Sequence, residues 1–545
     1  MRGKRMEGLV PEMDVSALDM QARREILLRS PVPATMVRMA DALFAAGKGL
    51  DAVRLVLEVA SHQLNDWRFS VAAATALLRY TVRYDIVEAL LRNVHRHRPD
   101  DVLAQVLHAY VQLMKGDVGG GLALFSALMR RCFDERAMIC EYMSMALLRI
   151  GQPEQTLACL QSYLESGPMT AAILNNLGCA LERLNRSAEA IPWYERALAL
   201  EAGRPEISFG YANTLLKAGR LHEAWPLYFE RALSVMDGTA WYLSLPRLRP
   251  GNDVAGRRII LFQEQGLGDT IQFIRFVSDL LAKGAEVTIL VPRPLVRLLA
   301  QSYPGVSVHE TGWIGEKERY DYGMPIPDLP YVAGVMSMQE IPAPIPYLRA
   351  DPGDVARFAA MLPARRPRIG LVWAGERREG AADVLADQRR STTLAALGAA
   401  VTPVDAVLVS LQFGAPRGEI AGWMGQAVCD PMVGVRDMAD TAAIVANLDL
   451  VISVDTSPLH LAGAMGCPVW LISRWDACWR WGDAGDRSPW YPAMRLFRAQ
   501  ERSFAPVLGA VGAAVRDWSG RWHAAEADGN DPQPVGPARG TGLAR

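Results

Sequence analysis

The apolar positions of this chain follow two rhythms, and the change falls near residue 236. Before it, small residues recur at Ala40, Ala74, Ala109, Ser144, Gly178 and Ala212, with gaps of 34, 35, 35, 34 and 34. Twelve residues after each comes a second position, filled by Ala52, Ile86, Gly121, Thr156, Ala190 and Ala224. In the clearest unit, 171–204, Gly178, Ala190 and Ala197 fall where two helices must approach closely, and Leu174, Leu177, Leu181, Ile191 and Leu198 line the inside. This period and placement predict helix–turn–helix repeats. A single unit cannot bury its own apolar face, so six in series imply a stacked solenoid over 33–236, after an N-terminal segment 1–32. The first three units follow the pattern weakly and the last two well.

Beyond 236 the pattern becomes that of alternating strands and helices, which predicts α/β lobes. In a first lobe, 237–345, the strand Arg257–Phe262 runs into Gln265-Gly266-Leu267-Gly268-Asp269-Thr270. A helix with Ile271, Ile274, Val277, Ser278 and Leu281 on one face follows, then the strand Glu286–Val291. The proline-rich stretch 341–367 reads as a hinge. A second lobe, 346–518, opens with the strand Ile369–Trp373 and a charged loop, Glu376–Arg390. It continues with a helix from near Ser391, the strand Val407–Leu411 and a helix at Thr441–Asn447. The apolar run Leu450–Val454 then predicts a buried strand, followed by Asp455-Thr456-Ser457-Pro458, a short small-residue helix and a strand from Pro468. An aromatic stretch holds Trp475, Trp479, Trp481, Trp490 and Tyr491, and a last helix near Pro506–Trp518 precedes a Gly/Pro/Asp-rich tail, 519–545, expected to be disordered. The fold class expected is therefore multidomain: an all-α repeat solenoid, then two Rossmann-like lobes.

Composition narrows the function. A chain of 545 residues needs several cores. A net charge of −1 gives no electrostatic footprint for nucleic acid. No run of 18 apolar residues occurs, and the N-terminus has no apolar segment behind its basic residues, so neither a transmembrane span nor a signal peptide is expected. Seven dispersed cysteines without a Cys-x-x-Cys pair read as reduced thiols, which points to the cytoplasm. His95 and His97, in an arginine-rich turn, read as a solvated helix end.

Candidate chemistry lies in two turns. Thr456 or Ser457 suits an N-cap and Pro458 the first helical turn, so a strand here feeds a helix whose free N–H groups lie at the carboxyl edge of a sheet. Such an edge binds phosphate, although an ordinary strand–turn–helix has the same pattern. Gly266 and Gly268 follow a strand, but Ile271 occupies the third glycine position of the dinucleotide fingerprint, which therefore fails. Asp269 comes to the same kind of edge, or caps its helix. His460 either donates to a phosphate or packs on its helix. Glu264 positions the turn or meets an acceptor, Trp490 and Tyr491 meet an acceptor or only pack the cleft edge, and Glu419 reads as a surface residue with a ribose contact as the alternative.

Gln265 to Thr270 and Val454 to Ala462 resemble the paired motifs of the ADP-heptose–lipopolysaccharide heptosyltransferases, which are GT-B glycosyltransferases. More specifically, the chain resembles bacterial tetratricopeptide proteins with such a domain at the C-terminus. Asp387-Gln388-Arg389-Arg390-Ser391 approximates their Asp-Arg-x-Arg-Ser, and Ser488-Pro489-Trp490-Tyr491-Pro492 matches their aromatic signature. The resemblance implies Asp269 as catalytic acid/base, Gly266 and Gly268 in the donor-side turn, Asp455, Thr456, Ser457, Pro458 and His460 around the donor pyrophosphate, and Arg390 on its phosphates, with Arg389 as substitute. Two departures stand out: Gln388 in place of an arginine, and a longer loop at 376–385. Asp-x-Asp is absent from 237–518, so metal-independent transfer without a cofactor is expected. The partners implied are a nucleotide sugar and a saccharide or protein acceptor recruited by the solenoid. The alternatives are a non-catalytic scaffold and a dinucleotide enzyme. A solenoid joined to GT-B lobes also resembles O-GlcNAc transferases in architecture alone.

Overall fold

The computed structural model describes residues 20–528 apart from 30, 46–48, 82, 166, 232, 234–240, 343 and 377–386. Most of the loop 376–385 and the tail beyond 528 thus lie outside the described residues. Among the described residues helices follow one another two to each period: Pro33–Ala45 then Gly49–His62, Trp67–Tyr80 then Tyr84–His97, Val102–Met114 then Val118–Arg131, Arg136–Arg149 then Pro153–Leu164, Ala171–Arg183 then Ser187–Leu200, and Pro205–Lys217 then Leu221–Phe229. Each small position expected from the period falls in the first helix of a pair. Ala40, Ala74, Ala109, Ser144 and Ala212 are completely buried. A Cβ on Gly178 would stand 2.6 Å from the ring of Tyr194, which shows why that contact demands glycine. His97 closes its own helix end, with Nδ1 2.9 Å from the Asn93 carbonyl.

The chain divides into two compact units near residue 150, and the second holds the last two helix pairs together with both α/β sheets. The first sheet consists of β1 (Arg258–Phe262), β2 (Glu286–Val291), β3 (Ser307–Glu310) and β4 (Tyr322–Pro325), all parallel, in the order β3-β2-β1-β4. The second consists of β5 (Arg368–Val372), β6 (Val407–Ser410), β7 (Val428–Cys429), β8 (Leu450–Val454), β9 (Val469–Ser473) and β10 (Met494–Arg498), also parallel, in the order β10-β9-β8-β5-β6-β7. β5, β8 and β9 are buried along their whole length, as the unbroken apolar runs required. In each sheet the chain reverses its direction of travel beside one strand. The crevices so formed lie between β1 and β4 and between β5 and β8, where α/β proteins bind ligands.

Three expectations are corrected. The helix after β1 is not continuous: Leu267–Phe273 passes through a 3₁₀ turn, Ile274–Phe276, into Val277–Ala282. Ile271, Ile274 and Val277 are buried as expected, together with Phe273, Phe276 and Leu280, whereas Ser278 and Leu281 are exposed. The stretch read as a loose hinge is packed, with the Tyr347 hydroxyl donating to the Ile271 carbonyl at 3.0 Å. The last helix runs from Ala505 to Ala527, because Ser519 is buried, donates to the Asp405 carbonyl, and Trp522 packs on Trp518.

An ionic network joins Arg293–Ser302 of the first lobe to Pro352–Ala359 and Met438–Val445 of the second. Arg297 donates to both oxygens of Asp437, at 2.8 and 2.7 Å, and also meets Asp354 and Asp440. Arg357 and Arg436 reach Asp440 at 2.6 and 2.8 Å. Burial works to raise the Asp440 carboxyl, but the Arg436 and Arg297 hydrogen bonds outweigh it and hold it far below the usual range; Asp354 is also lowered. A depressed folded pKa gives stability that is complete above the unfolded value, about 3.9, and lost as pH falls through the folded one. The melting temperature should therefore fall steeply below about pH 4. Asp440→Asn should melt lower at pH 7 and depend less on pH below 4. Parallel pH curves for the two proteins would contradict this role.

Candidate functional site

The second-lobe turn follows from its strand. Val372 of β5 pairs in register with Ser453 of β8, so Ala374-Gly375 and Asp455-Thr456 leave the crevice at one level. Thr456 occupies the N-cap of the helix Ser457–Ala464 but makes no cap hydrogen bond. Its hydroxyl donates instead to the Val454 carbonyl at 3.2 Å. The Thr456 side chain thus caps no N–H of that helix, which differs from the expected capping; Pro458 has no N–H, and Leu459 N donates to the Thr456 carbonyl at 3.1 Å, so the donor at this start is Ser457 N. Ser457 is half-buried and Pro458 buried.

His460 and Asp455 lock this turn to the aromatic stretch. His460 Nδ1 lies 2.9 Å from the Tyr491 hydroxyl, its ring stacks on Trp481, and its Nε2 is 3.8 Å from Asp455. Trp481 Nε1 donates to Asp455 at 2.9 Å. Burial would raise the Asp455 carboxyl, but the His460 ring and the Trp481 indole more than offset it, holding it at about 2. Of the two readings of His460, packing is the one the geometry shows, since the side chain is 6% exposed. Gly268 of the first-lobe turn lies against it: a Cβ there would meet His460 Cδ2 at 2.8 Å. The two turns are thus brought together, and Gly268 is needed for that approach.

In the first-lobe turn Gly266 is the N-cap and Asp269 the third helical residue. Asp269 is therefore not the cap; its Oδ2 accepts from Gly266 N at 2.8 Å, the returning bond of a capping box. Its Oδ1 meets Arg480. Arg480, 9% exposed in its side chain, also donates from Nε to Gln272 at 2.8 Å and lies over the Trp479 ring. Despite burial, the charge of Asp269 raises the Arg480 guanidinium above its ordinary value. A carboxylate has about four acceptor positions, so Asp269, 21% exposed, keeps acceptor capacity.

The residues considered for an acceptor contact are corrected by burial. Trp490 and Tyr491 are 0% exposed, and Glu264 is held by Arg231 at 2.7 Å beneath the surface. None presents a face to an acceptor. Beside β5 a cavity of about 1090 Å³ is lined by Gly375, Gln388, Thr393, Glu419, Phe504 and Leu508, among others. Glu419 is accordingly not plain surface; its carboxylate accepts from Leu394 N at 2.8 Å, at a helix start. Arg390 packs on Gly375 at the mouth of β5 and pairs with Asp387 at 2.7 Å. Arg389 turns to Asp476, Nε 3.3 Å from Oδ2, and burial, with neighbouring arginines, brings its guanidinium down to about 10. Sequence reasoning missed Arg480 and Gln412, whose buried amide accepts from Trp373 N and Ala374 N and fixes the β5 exit. A lone arginine between two tryptophans was the available signal for the first.

Residues 143–205 match the family model described as tetratricopeptide repeat. The matched stretch runs from within the helix Arg136–Arg149 to just past the end of Ser187–Leu200. FlbA of Caulobacter vibrioides is 27% identical over 440 residues, covering 69% of this chain and 72% of FlbA. Among solved structures, a glycosyl transferase family 9 protein of Veillonella parvula aligns with a TM-score of 0.33 and 11% identity, over 46% of this chain and 88% of its own. The ADP-heptose lipopolysaccharide heptosyltransferase II of E. coli aligns with a TM-score of 0.34 and 15% identity, over 47% of this chain and 98% of its own. Among the described residues no helix is long and apolar enough to cross a membrane.

Proposed function

We propose that the α/β lobes form a glycosyltransferase of GT-B type that uses a nucleotide sugar. The observation that carries this reading is the meeting of two turns: a partly exposed carboxylate, Asp269, in one lobe, and in the other a helix start at Ser457 that receives no side-chain cap. The donor diphosphate would lie at Thr456-Ser457, with Arg390 supplying positive charge as the bond to the sugar breaks. The nucleoside would occupy the cavity by Gly375 and Glu419. Asp269 would take the proton of the acceptor hydroxyl. The tetratricopeptide repeats would hold the acceptor, a saccharide or a protein. Helix dipole and guanidinium would serve in place of a cation, and a nucleotide-sugar donor would place the protein in the cytoplasm.

A panel of nucleotide sugars in a thermal-shift assay tests this. One donor class should raise the melting temperature, since a ligand that binds only the folded state stabilises it by mass action. Transfer with that donor should persist in excess EDTA. A panel without any shift would remove the donor site, and loss of transfer restored by magnesium would remove the metal-free mechanism.

One observation favours a second reading, a scaffold without activity. Both Asp269 oxygens already hold structural partners, Gly266 N and Arg480. That reading expects donor binding without turnover.

A further inference from the structure

The last repeat helix, Leu221–Phe229, and Arg231 just beyond it reach the two segments that hold Asp269. Arg231, 2% exposed in its side chain, donates from Nη2 to Glu264 at 2.7 Å and from Nη1 to Asp328 at 2.7 Å. The Glu264 and Asp328 side chains are 3% and 0% exposed; Arg231 pairs with both, and Arg247 also pairs with Asp328. Glu264 lies two residues before Gly266. Between them, Gln265 Nε2 donates to the Tyr228 hydroxyl at 2.6 Å. On the other side, the rings of Trp225 and Tyr228 meet Trp479 at 6.2 and 6.5 Å, and Trp479 precedes Arg480, the partner of Asp269. Trp225 Nε1 is itself fixed on the Val335 carbonyl at 2.8 Å.

We infer that this helix positions the first-lobe turn, with Tyr228 and Arg231 as positioning residues that act on Asp269 through Gln265, Glu264 and Trp479. The last repeat is then part of the transferase unit as well as of the repeat array. Only the kinetic consequence rests on the proposed transfer reaction; the positioning of the turn does not.

The test uses the full chain and Tyr228→Phe, which removes one hydroxyl and little volume, with Tyr211→Phe as control. Tyr211 lies in the same helix pair but donates to Glu195 at 3.0 Å, away from the turn. Amide hydrogen exchange over 263–270 should rise roughly tenfold in Tyr228→Phe, the worth of about one hydrogen bond. Exchange over 450–464 should stay as in the wild type, and Tyr211→Phe should leave both segments unchanged. If the wild type transfers sugar, kcat should fall roughly tenfold in Tyr228→Phe while donor affinity stays within about twofold. Wild-type exchange over 263–270 in Tyr228→Phe overturns the inference. Increased exchange in a chain that transfers nothing upholds it and removes the transferase reading instead.

Discussion

Asp269→Asn is expected to lower sugar transfer by about 10² to 10⁴, the usual contribution of a positioned base. Its effect does not stop there. The amide still caps the turn in shape, but it no longer neutralises Arg480, whose side chain is 9% exposed. Stability should fall by roughly 1.5–3 kcal/mol, the range for hydrogen bonds to charged groups. A loss of rate in this variant alone therefore does not separate chemistry from folding. The double variant Asp269→Asn/Arg480→Met does, because it removes the unpaired charge. Its melting temperature should recover towards that of the wild type while transfer stays low. Recovery of transfer together with stability would assign Asp269 a purely structural role and leave the transfer reaction without it as the base.

Much of the framework was legible because its cause is local. A buried parallel strand needs an unbroken apolar run, and Glu286–Val291 and Leu450–Val454 were found at their true bounds. Small residues at close helix contacts gave the repeats, since a Cβ on Gly178 or Gly121 would strike a neighbouring side chain. The site was only partly legible, because its partners are remote. Arg480 stands 211 residues from Asp269 and Arg231 stands 97 from Asp328, and no local period reports such pairs. The aromatic residues misled for a related reason. Trp490 and Tyr491 pack around Arg275, whose guanidinium donates to the Trp490 carbonyl at 2.7 Å, so a stretch read as the edge of a cleft is buried core. Thr456 was expected to cap; it stands at the N-cap position, but its hydroxyl donates to the Val454 carbonyl instead, a choice no local pattern reports. The helix past 518 was missed although Trp518 and Trp522, four apart, form an apolar pair on one face.

The central claim is that a donor diphosphate binds at the start of the helix Ser457–Ala464. Ser457 is half-buried there, whereas Pro458 is buried, so Ser457 is the position at which a charge can be added with least damage to packing. An acidic side chain is tolerated at a helix start, where it complements the macrodipole. Ser457→Asp should thus fold and melt much as the wild type does. The new carboxylate would stand where the diphosphate is proposed to lie, and repulsion between like charges at contact distance amounts to a few kcal/mol under partly buried conditions. Titration calorimetry of the donor found in the nucleotide-sugar panel, against the wild type and Ser457→Asp, is the direct measurement. Affinity should fall roughly 10- to 100-fold in a variant that melts within a few degrees of the wild type. Equal donor affinity in the two proteins would contradict the account, for the diphosphate would then not occupy this turn.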